Sequence, residues 1–271
     1  MKKRIVTVLL LAVALSICAC AKTEQPPTNA PTEVQTTTEA QEKRLTADEV
    51  TDLLKDKFDI TKENCQYEVY SKGTSCTTYE DGTEEEGLGI VKHVVKKENG
   101  KLELRIEIEF LDSNYMKQNW DFVYKDDWKY ALERNDGSYM KVPPENALAY
   151  LDDYDNILGD YESCEITEDG DNVIYTYYLE DKETGNEVKN TDGSILQSKE
   201  TYSNRKEIII LDKNNNIIAR DQIGVREGVY FGIKQTTEYE THFDFIAFDN
   251  VKIDMSDFSD HMYLATGEEK K

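Results

Sequence analysis

The chain has 271 residues, and its formal net charge of −23 comes from 32 basic against 55 acidic residues. That negative field repels phosphate backbones and anionic lipid headgroups, so the charge argues against nucleic acid as a partner. A solvated, soluble surface is the favoured interpretation, and a specific cationic ligand is the alternative. The 17 tyrosines favour β-strands over helices.

The first 19 residues predict a signal peptide. A basic start at residues 2–4 precedes an apolar run at 5–15. The run is too short to span a bilayer, which needs about 20 apolar residues. Small residues follow it, as expected at a cleavage site.

Two cysteines compete for that cleavage site. Segment 17–20 reads Ile-Cys-Ala-Cys and resembles the lipobox of bacterial lipoproteins, in which a small residue directly precedes the cysteine. Ala19 before Cys20 fits this pattern, whereas Cys18 follows the bulky Ile17. The resemblance implies a diacylglyceryl anchor on Cys20, which holds a protein durably on the cell membrane, facing outside the cytoplasm. An ordinary secretory signal with incidental cysteines is the alternative.

Residues 20–44 are interpreted as the lipidated cysteine and a tether. Segment 21–44 is rich in Thr, Glu, Gln and Pro and has no apolar periodicity, which is typical of disordered chain. A flexible coil of this length has a mean reach of roughly 25–30 Å. That reach would keep an acidic domain clear of an acidic membrane.

Ordered structure is predicted to begin at Thr46. Thr46 and Glu49 have the spacing of a capping box, which marks the start of a helix. The apolar residues that then fall on one helical face are Val50, Leu53, Leu54 and Phe58. The spacing predicts a helix over 46–58.

Two runs of alternating residues, around 105–110 and 120–124, predict strands with one buried face. The apolar positions in them are Ile106, Ile108, Phe110, Trp120, Phe122 and Tyr124. Because side chains alternate across a strand, the apolar residues of each run share a face. If the two faces coincide, they make a wide apolar surface that needs a cover. These six residues are the candidate ligand-binding residues.

Turn signals at Asn99-Gly100 and Asp136-Gly137 imply antiparallel hairpins. A second helix is predicted over 144–158, because Pro144 suits the first helical position and Gly159 can end the helix. Strand patterns follow this helix as well. The predicted fold class is α+β, mostly antiparallel, with a curved sheet or half-barrel and both helices on its concave face.

This order of elements, over residues 45–258, is similar to the half-barrel lipoproteins and carriers of the LolA and LppX kind. The resemblance implies a β-rich domain that binds acyl chains or other apolar ligands beneath its helices. The same residues would alternatively close into a filled core, which suits a protein-interaction or accessory module of a cell-envelope complex. Residues 259–271 are predicted to be a flexible C-terminal tail.

No sequence motif predicts catalysis or a metal centre. The three histidines are far apart, and no nucleophile-elbow, zinc-protease or phosphate-loop motif occurs. Segment 212–216 resembles the start of a calcium loop, but Ile217 replaces the required glycine, so a hairpin turn is favoured. We therefore expect a non-enzymatic binding protein without a cofactor.

Three cysteines remain after the predicted processing: Cys65, Cys76 and Cys164. The odd number leaves at least one thiol unpaired or paired between chains. A Cys65–Cys76 bridge and free, partly buried thiols are both consistent with the sequence.

Overall fold

A computed structural model of the protein describes residues 44–111, 117–151 and 161–270. The predicted signal peptide, Cys20 and nearly all of the predicted tether lie outside these residues. No helix within the described ranges is long and apolar enough to cross a membrane. The described ranges include the segments in which the sequence predicts alternating strands.

Fourteen β-strands lie within the described ranges, and all belong to one sheet. In chain order they are β1 (Cys65–Tyr79), β2 (Glu84–Glu98), β3 (Lys101–Leu111), β4 (Lys117–Lys125), β5 (Ala131–Asn135), β6 (Ser138–Val142), β7 (Tyr161–Asp169), β8 (Asn172–Leu179), β9 (Lys182–Thr184), β10 (Val188–Lys189), β11 (Ile195–Gln197), β12 (Glu200–Leu211), β13 (Ile217–Tyr230) and β14 (Ile233–Ala247). Paired strands run antiparallel throughout.

The first strand, β1, and the last strand, β14, pair with each other in the middle of the sheet. The strand order is β6-β5-β4-β3-β2-β1-β14-β13-β12-β8-β7, and the short strands β9, β10 and β11 lie off this path. Two antiparallel meanders therefore run outwards from the β1–β14 pair. The sheet is curved and unclosed, which confirms the prediction of a curved, mostly antiparallel sheet with few helices.

The predicted turn signals lie where hairpins reverse direction. Asn99 and Gly100 join β2 to β3, and both have positive φ, at 51° and 76°. Asp136 and Gly137 join β5 to β6 in the same way. Two-residue turns with positive φ match the twist of the flanking strands, and so they fix the register of these hairpins.

Helix α1 (Ala47–Phe58) begins at the predicted capping box. The Thr46 hydroxyl accepts a hydrogen bond from the Glu49 backbone N–H (3.2 Å), and the Glu49 carboxylate accepts one from the Thr46 N–H (2.8 Å). The members of its apolar stripe that are buried in the core are Val50, Leu54 and Phe58. The predicted helix over 46–58 is confirmed.

Helix α1 packs on one face of the sheet, which we call the inner face. Hydroxyl groups of Tyr175 and Tyr177 on β8 donate hydrogen bonds to the first carbonyls of this segment, at 2.7 and 2.8 Å. Phe122 on β4 belongs to the same core, although six strands separate β4 from β8. On a flat sheet these strands would lie roughly 30 Å apart. The inner face is therefore concave around α1.

The mid-chain helix lies on the inner face too, but its described part is shorter than predicted. Helix α2 (Pro144–Leu148) starts with proline in its first turn, as expected. Ala147 is buried in the core that contains α1. The centres of the Tyr150 and Phe122 rings lie 5.4 Å apart, so these rings pack against each other. Residues 152–160, which complete the predicted helix over 144–158, lie outside the described residues.

The C-terminal segment differs from the flexible tail that the sequence predicts at 259–271. A 3-10 helix (Ser256–His261) leads into α3 (Met262–Thr266). Phe258 and Ala265 are fully buried in a second core, against Val123 and Leu132 on the opposite, outer face of the sheet. The segment is ordered because this outer face offers an apolar surface that its side chains cover.

Candidate functional site

The two predicted apolar faces coincide. Strands β3 and β4 pair so that Ile106 lies directly opposite Phe122 and Ile108 directly opposite Trp120. Directly opposed residues project to the same side of a sheet. The apolar residues of the two runs therefore form one shared surface, which the sequence alone could not establish.

The six predicted residues divide into two groups of three. Ile106, Phe122 and Tyr124 are buried beneath the helices and belong to the core. Ile108 and Trp120 are half-buried, and Phe110 is 42% exposed. The second group lines an open groove on the inner face, which we call the inner groove.

The inner groove has a volume of about 660 Å³. Its apolar lining consists of Val91, Ile108, Phe110, Trp120, Tyr150 and Phe243. Its polar lining consists of Ser71, His93, Arg220, Gln222 and Thr241. Three of the six apolar residues lie on β3 and β4, and four of the five polar residues lie on β1, β13 and β14, so one side of the groove is richer in polar groups than the other.

The groove exists because the helix is short and the strands are long. Twelve residues of α1 span about 18 Å, whereas the 15 residues of β1 or β2 span roughly 50 Å. Beyond the helix the inner face carries small residues, including the directly paired Gly73 and Gly89. Among the residues that the structure describes, neither a helix nor side chains fill the concavity there.

An ion pair lies at the polar side of the groove. Arg220 and Glu207 are only 1% and 4% exposed. Glu207 accepts hydrogen bonds from Arg220 Nε (2.7 Å) and Nη2 (2.9 Å), and from the Gln222 amide (2.8 Å). The guanidinium lies 4.9 Å from the centre of the Phe243 ring. Forked geometry of this kind is the strongest arrangement for an arginine and a carboxylate.

His93 projects into the same groove from β2. It is 6% exposed, and burial lowers its pKa to about 4. The imidazole is therefore neutral at pH 7, since desolvation disfavours the charged ring. A neutral imidazole has one donor and one acceptor nitrogen.

A second buried arginine lies on the outer face. Arg105 binds Asp121 at 2.7 Å, and Arg134 binds the same carboxylate at 2.7 Å. Both guanidinium groups lie over the ring of Phe258, and Asp257 accepts hydrogen bonds from both. This cluster fastens the C-terminal segment to the sheet.

Sequence reasoning missed the polar half of the groove. His93, Arg220 and Gln222 lie on strands that meet only through long-range pairing. The position of the Phe243 ring beside Arg220 likewise depends on the pairing of β13 with β14. No local signal distinguishes these residues.

The cysteines and the calcium-like segment are accounted for by the fold. Cys65, Cys76 and Cys164 are free thiols. Cys65 and Cys76 lie on one strand at positions of opposite parity, so they face opposite sides and do not bridge. In the β12–β13 turn the Asp212 carboxylate accepts backbone hydrogen bonds, as a hairpin turn requires. Among the described residues no group of potential ligands could hold a metal ion.

Comparison with known proteins adds little to this geometry. No family model matches the chain, and no curated protein matches it. Among solved structures the chain is similar to a DUF1329 family protein from Desulfovibrio piger, at 12% identity over 79% of this chain and 96% of that chain, with a TM-score of 0.20. A similarity at this level carries no argument about function, so the site is interpreted from its own residues.

Proposed function

We propose that the protein is a non-enzymatic, extracytoplasmic binding protein that holds an apolar or amphiphilic ligand in the inner groove. The supporting observation is a groove of about 660 Å³ with one apolar and one polar side. Small-molecule sites have volumes of about 300–1,000 Å³, with mostly apolar walls and a few polar groups. The groove meets both conditions.

The apolar wall supplies the attraction. Phe110 is 42% exposed, and Ile108 and Trp120 are half-buried beside it. Covering a large apolar side chain with a ligand stabilises the complex by about 1.5–3 kcal/mol for full burial, and less for these partly buried residues. An exposed aromatic cluster on a concave face is therefore better explained by a ligand than by solvent.

We also propose that a lipid anchor on Cys20 places the domain at the cell membrane. The support is the Ala19-Cys20 pair at the end of an apolar leader. Mass spectrometry of the mature N-terminus tests this directly. A mature chain that starts at another residue, or an unmodified Cys20, would contradict it.

The groove is tested by ligand recovery and by tryptophan quenching. Native mass spectrometry of protein from its host, after removal of the anchor, should show a bound apolar molecule. In the purified protein, brominated dodecyl maltoside should quench Trp120. Trp120→Phe should remove that quenching, whereas Trp128→Phe should retain it, because Trp128 packs in the second core on the outer face. Equal quenching in both variants would contradict the proposal.

A second candidate function, a protein-interaction module, is favoured by a separate apolar patch. Phe231 is 87% exposed at the β13–β14 turn, and Ile233 beside it is 46% exposed. Exposed apolar residues that cluster in this way mark interaction surfaces. If this function is correct, a photo-crosslinking residue at position 231 should capture a defined envelope protein in cells. The same residue at position 110, in the inner groove, is the control and should not capture that protein.

A further inference from the structure

The charge at the inner groove, as far as the described residues supply it, is already compensated. Among the described residues that line it, Arg220 carries the one formal charge at pH 7. Glu207 binds this guanidinium through both carboxylate oxygens. The Arg220–Glu207 pair is therefore neutral as a unit.

The pair leaves no favourable place for a charged ligand. Both oxygens of Glu207 are engaged, one of them also by Gln222, and Phe243 covers a face of the guanidinium. An incoming carboxylate would compete with Glu207 and leave one negative charge without a counter-charge. An incoming ammonium would leave a positive charge in the same way. A buried charge without a partner costs several kcal/mol.

Neutral hydrogen-bonding groups line the same side. The Gln222 side-chain amide donates one N–H to Glu207, and its carbonyl oxygen is a further hydrogen-bond acceptor. The Thr241 hydroxyl makes no hydrogen bond within the described part of the chain. Hydroxyl and amide groups both donate and accept, so they suit ligand groups of the same kind.

We infer that the ligand of the inner groove is an uncharged amphiphile. Its apolar chain lies against Ile108, Phe110 and Trp120, and a hydroxyl- or amide-bearing head meets Gln222 and Thr241. The net charge of −23 on the whole chain further disfavours an anionic ligand. This inference rests on the proposed function, because it names the ligand class for the same groove.

Three probes with lauroyl or dodecyl chains of closely similar length test the inference: monolaurin, laurate and dodecyltrimethylammonium. The protein is the mature chain, residues 20–271, with Cys20→Ala to prevent lipidation. The described residues belong to a compact unit that starts at residue 42, so the absent leader is not part of that unit. Calorimetry and Trp120 fluorescence should show monolaurin binding at least about tenfold more tightly than either charged probe.

Glu207→Gln provides the reciprocal test, because it leaves the charge of Arg220 without a counter-charge. Laurate should then bind more tightly than monolaurin. Glu183→Gln is the matched control, since Glu183 is an exposed partner of Lys199 away from the groove, and it should keep the wild-type order.

The outcomes separate the two proposals. Wild-type protein that binds laurate or the ammonium as tightly as monolaurin overturns the inference and leaves the groove proposal standing. Wild-type protein that binds none of the probes overturns both. If Glu207→Gln fails to fold, the order of affinities of the three probes for the wild-type protein still tests the inference.

Discussion

Each face of the sheet holds a buried arginine in a forked pair with a carboxylate. On the outer face Arg105 donates to Asp121 from Nε (3.2 Å) and Nη2 (2.7 Å). On the inner face Arg220 donates to Glu207 from the same two nitrogens, at 2.7 and 2.9 Å. The two pairs have the same chemistry, so their different surroundings can be compared directly.

The two arginine–carboxylate pairs differ in the groups that surround them. Phe258 and Asp257, from the chain's own C-terminal segment, cover Arg105. The inner groove opens beside Arg220, whose ring partner Phe243 belongs to the sheet itself. The same arginine–carboxylate pair therefore fastens a segment of the chain on the outer face, whereas on the inner face it lines the groove.

The largest expected effect comes from removing the carboxylates. Asp121→Ala and Glu207→Ala should each lower the free energy of unfolding by about 3–5 kcal/mol, since each leaves a buried arginine without its main partner. Only Asp121→Ala should also release the C-terminal segment. Denaturant unfolding measures the first effect, and amide exchange at 256–266 measures the second.

Asp127→Ala is the control for both variants. Asp127 pairs with Lys101 at 3.0 Å, but both side chains are exposed. Exposed pairs contribute about 0–1 kcal/mol, so this change should barely alter stability. Release of the C-terminal segment in Glu207→Ala as well would show that the two clusters are not separate devices.

Local patterns were sufficient to predict α1 and the faces of β3 and β4. The capping box of Thr46 and Glu49 depends on residues within one turn, and strand alternation depends on immediate neighbours. What these patterns leave open is register. Only the pairing of Ile108 with Trp120 joins the two predicted faces into one wall.

The polar half of the groove and the docked C-terminal segment depend on long-range pairing. In the sequence Arg220 resembles any surface arginine, and only the β12–β13 register brings it beside Glu207. The segment after Ser256 is short and acidic, so it resembles a tail. It is ordered because Val123 and Leu132, far away in the chain, offer Phe258 an apolar surface.

Two histidines on opposite faces of the sheet should give opposite pH dependences of stability. Burial lowers the pKa of His93 on the inner face to about 4, from 6.5. The unfolded chain then binds more protons than the folded one between these values. The contribution of His93 to stability is full above pH 6.5 and should fall by about 3 kcal/mol as pH drops to 4. His93→Gln should remove that part of the pH dependence.

His242 on the outer face should behave with the opposite sign. Hydrogen bonding to Asp221, together with Asp244, raises the pKa of His242 above 6.5. Its contribution is present below pH 6.5 and is lost as pH rises through the raised value. Unfolding curves of His242→Gln should therefore lose stability relative to wild type mainly at low pH. Identical pH profiles for the two variants would contradict the assigned environments.

The smallest expected effect concerns the open part of the inner face. A Cβ atom added at Gly89 would have only the Phe110 ring within reach, at 4.0 Å, whereas one added at Gly73 would meet Thr241 Oγ1 at 2.9 Å. Glycine within a strand costs roughly 0.5–1 kcal/mol relative to alanine. Gly89→Ala should therefore stabilise the protein by about that amount, and Gly73→Ala should not, because Thr241 must move. Thermal unfolding of the two variants measures both effects. Equal destabilisation by both would contradict the prediction, because it would mean that the inner face is already filled at Gly89.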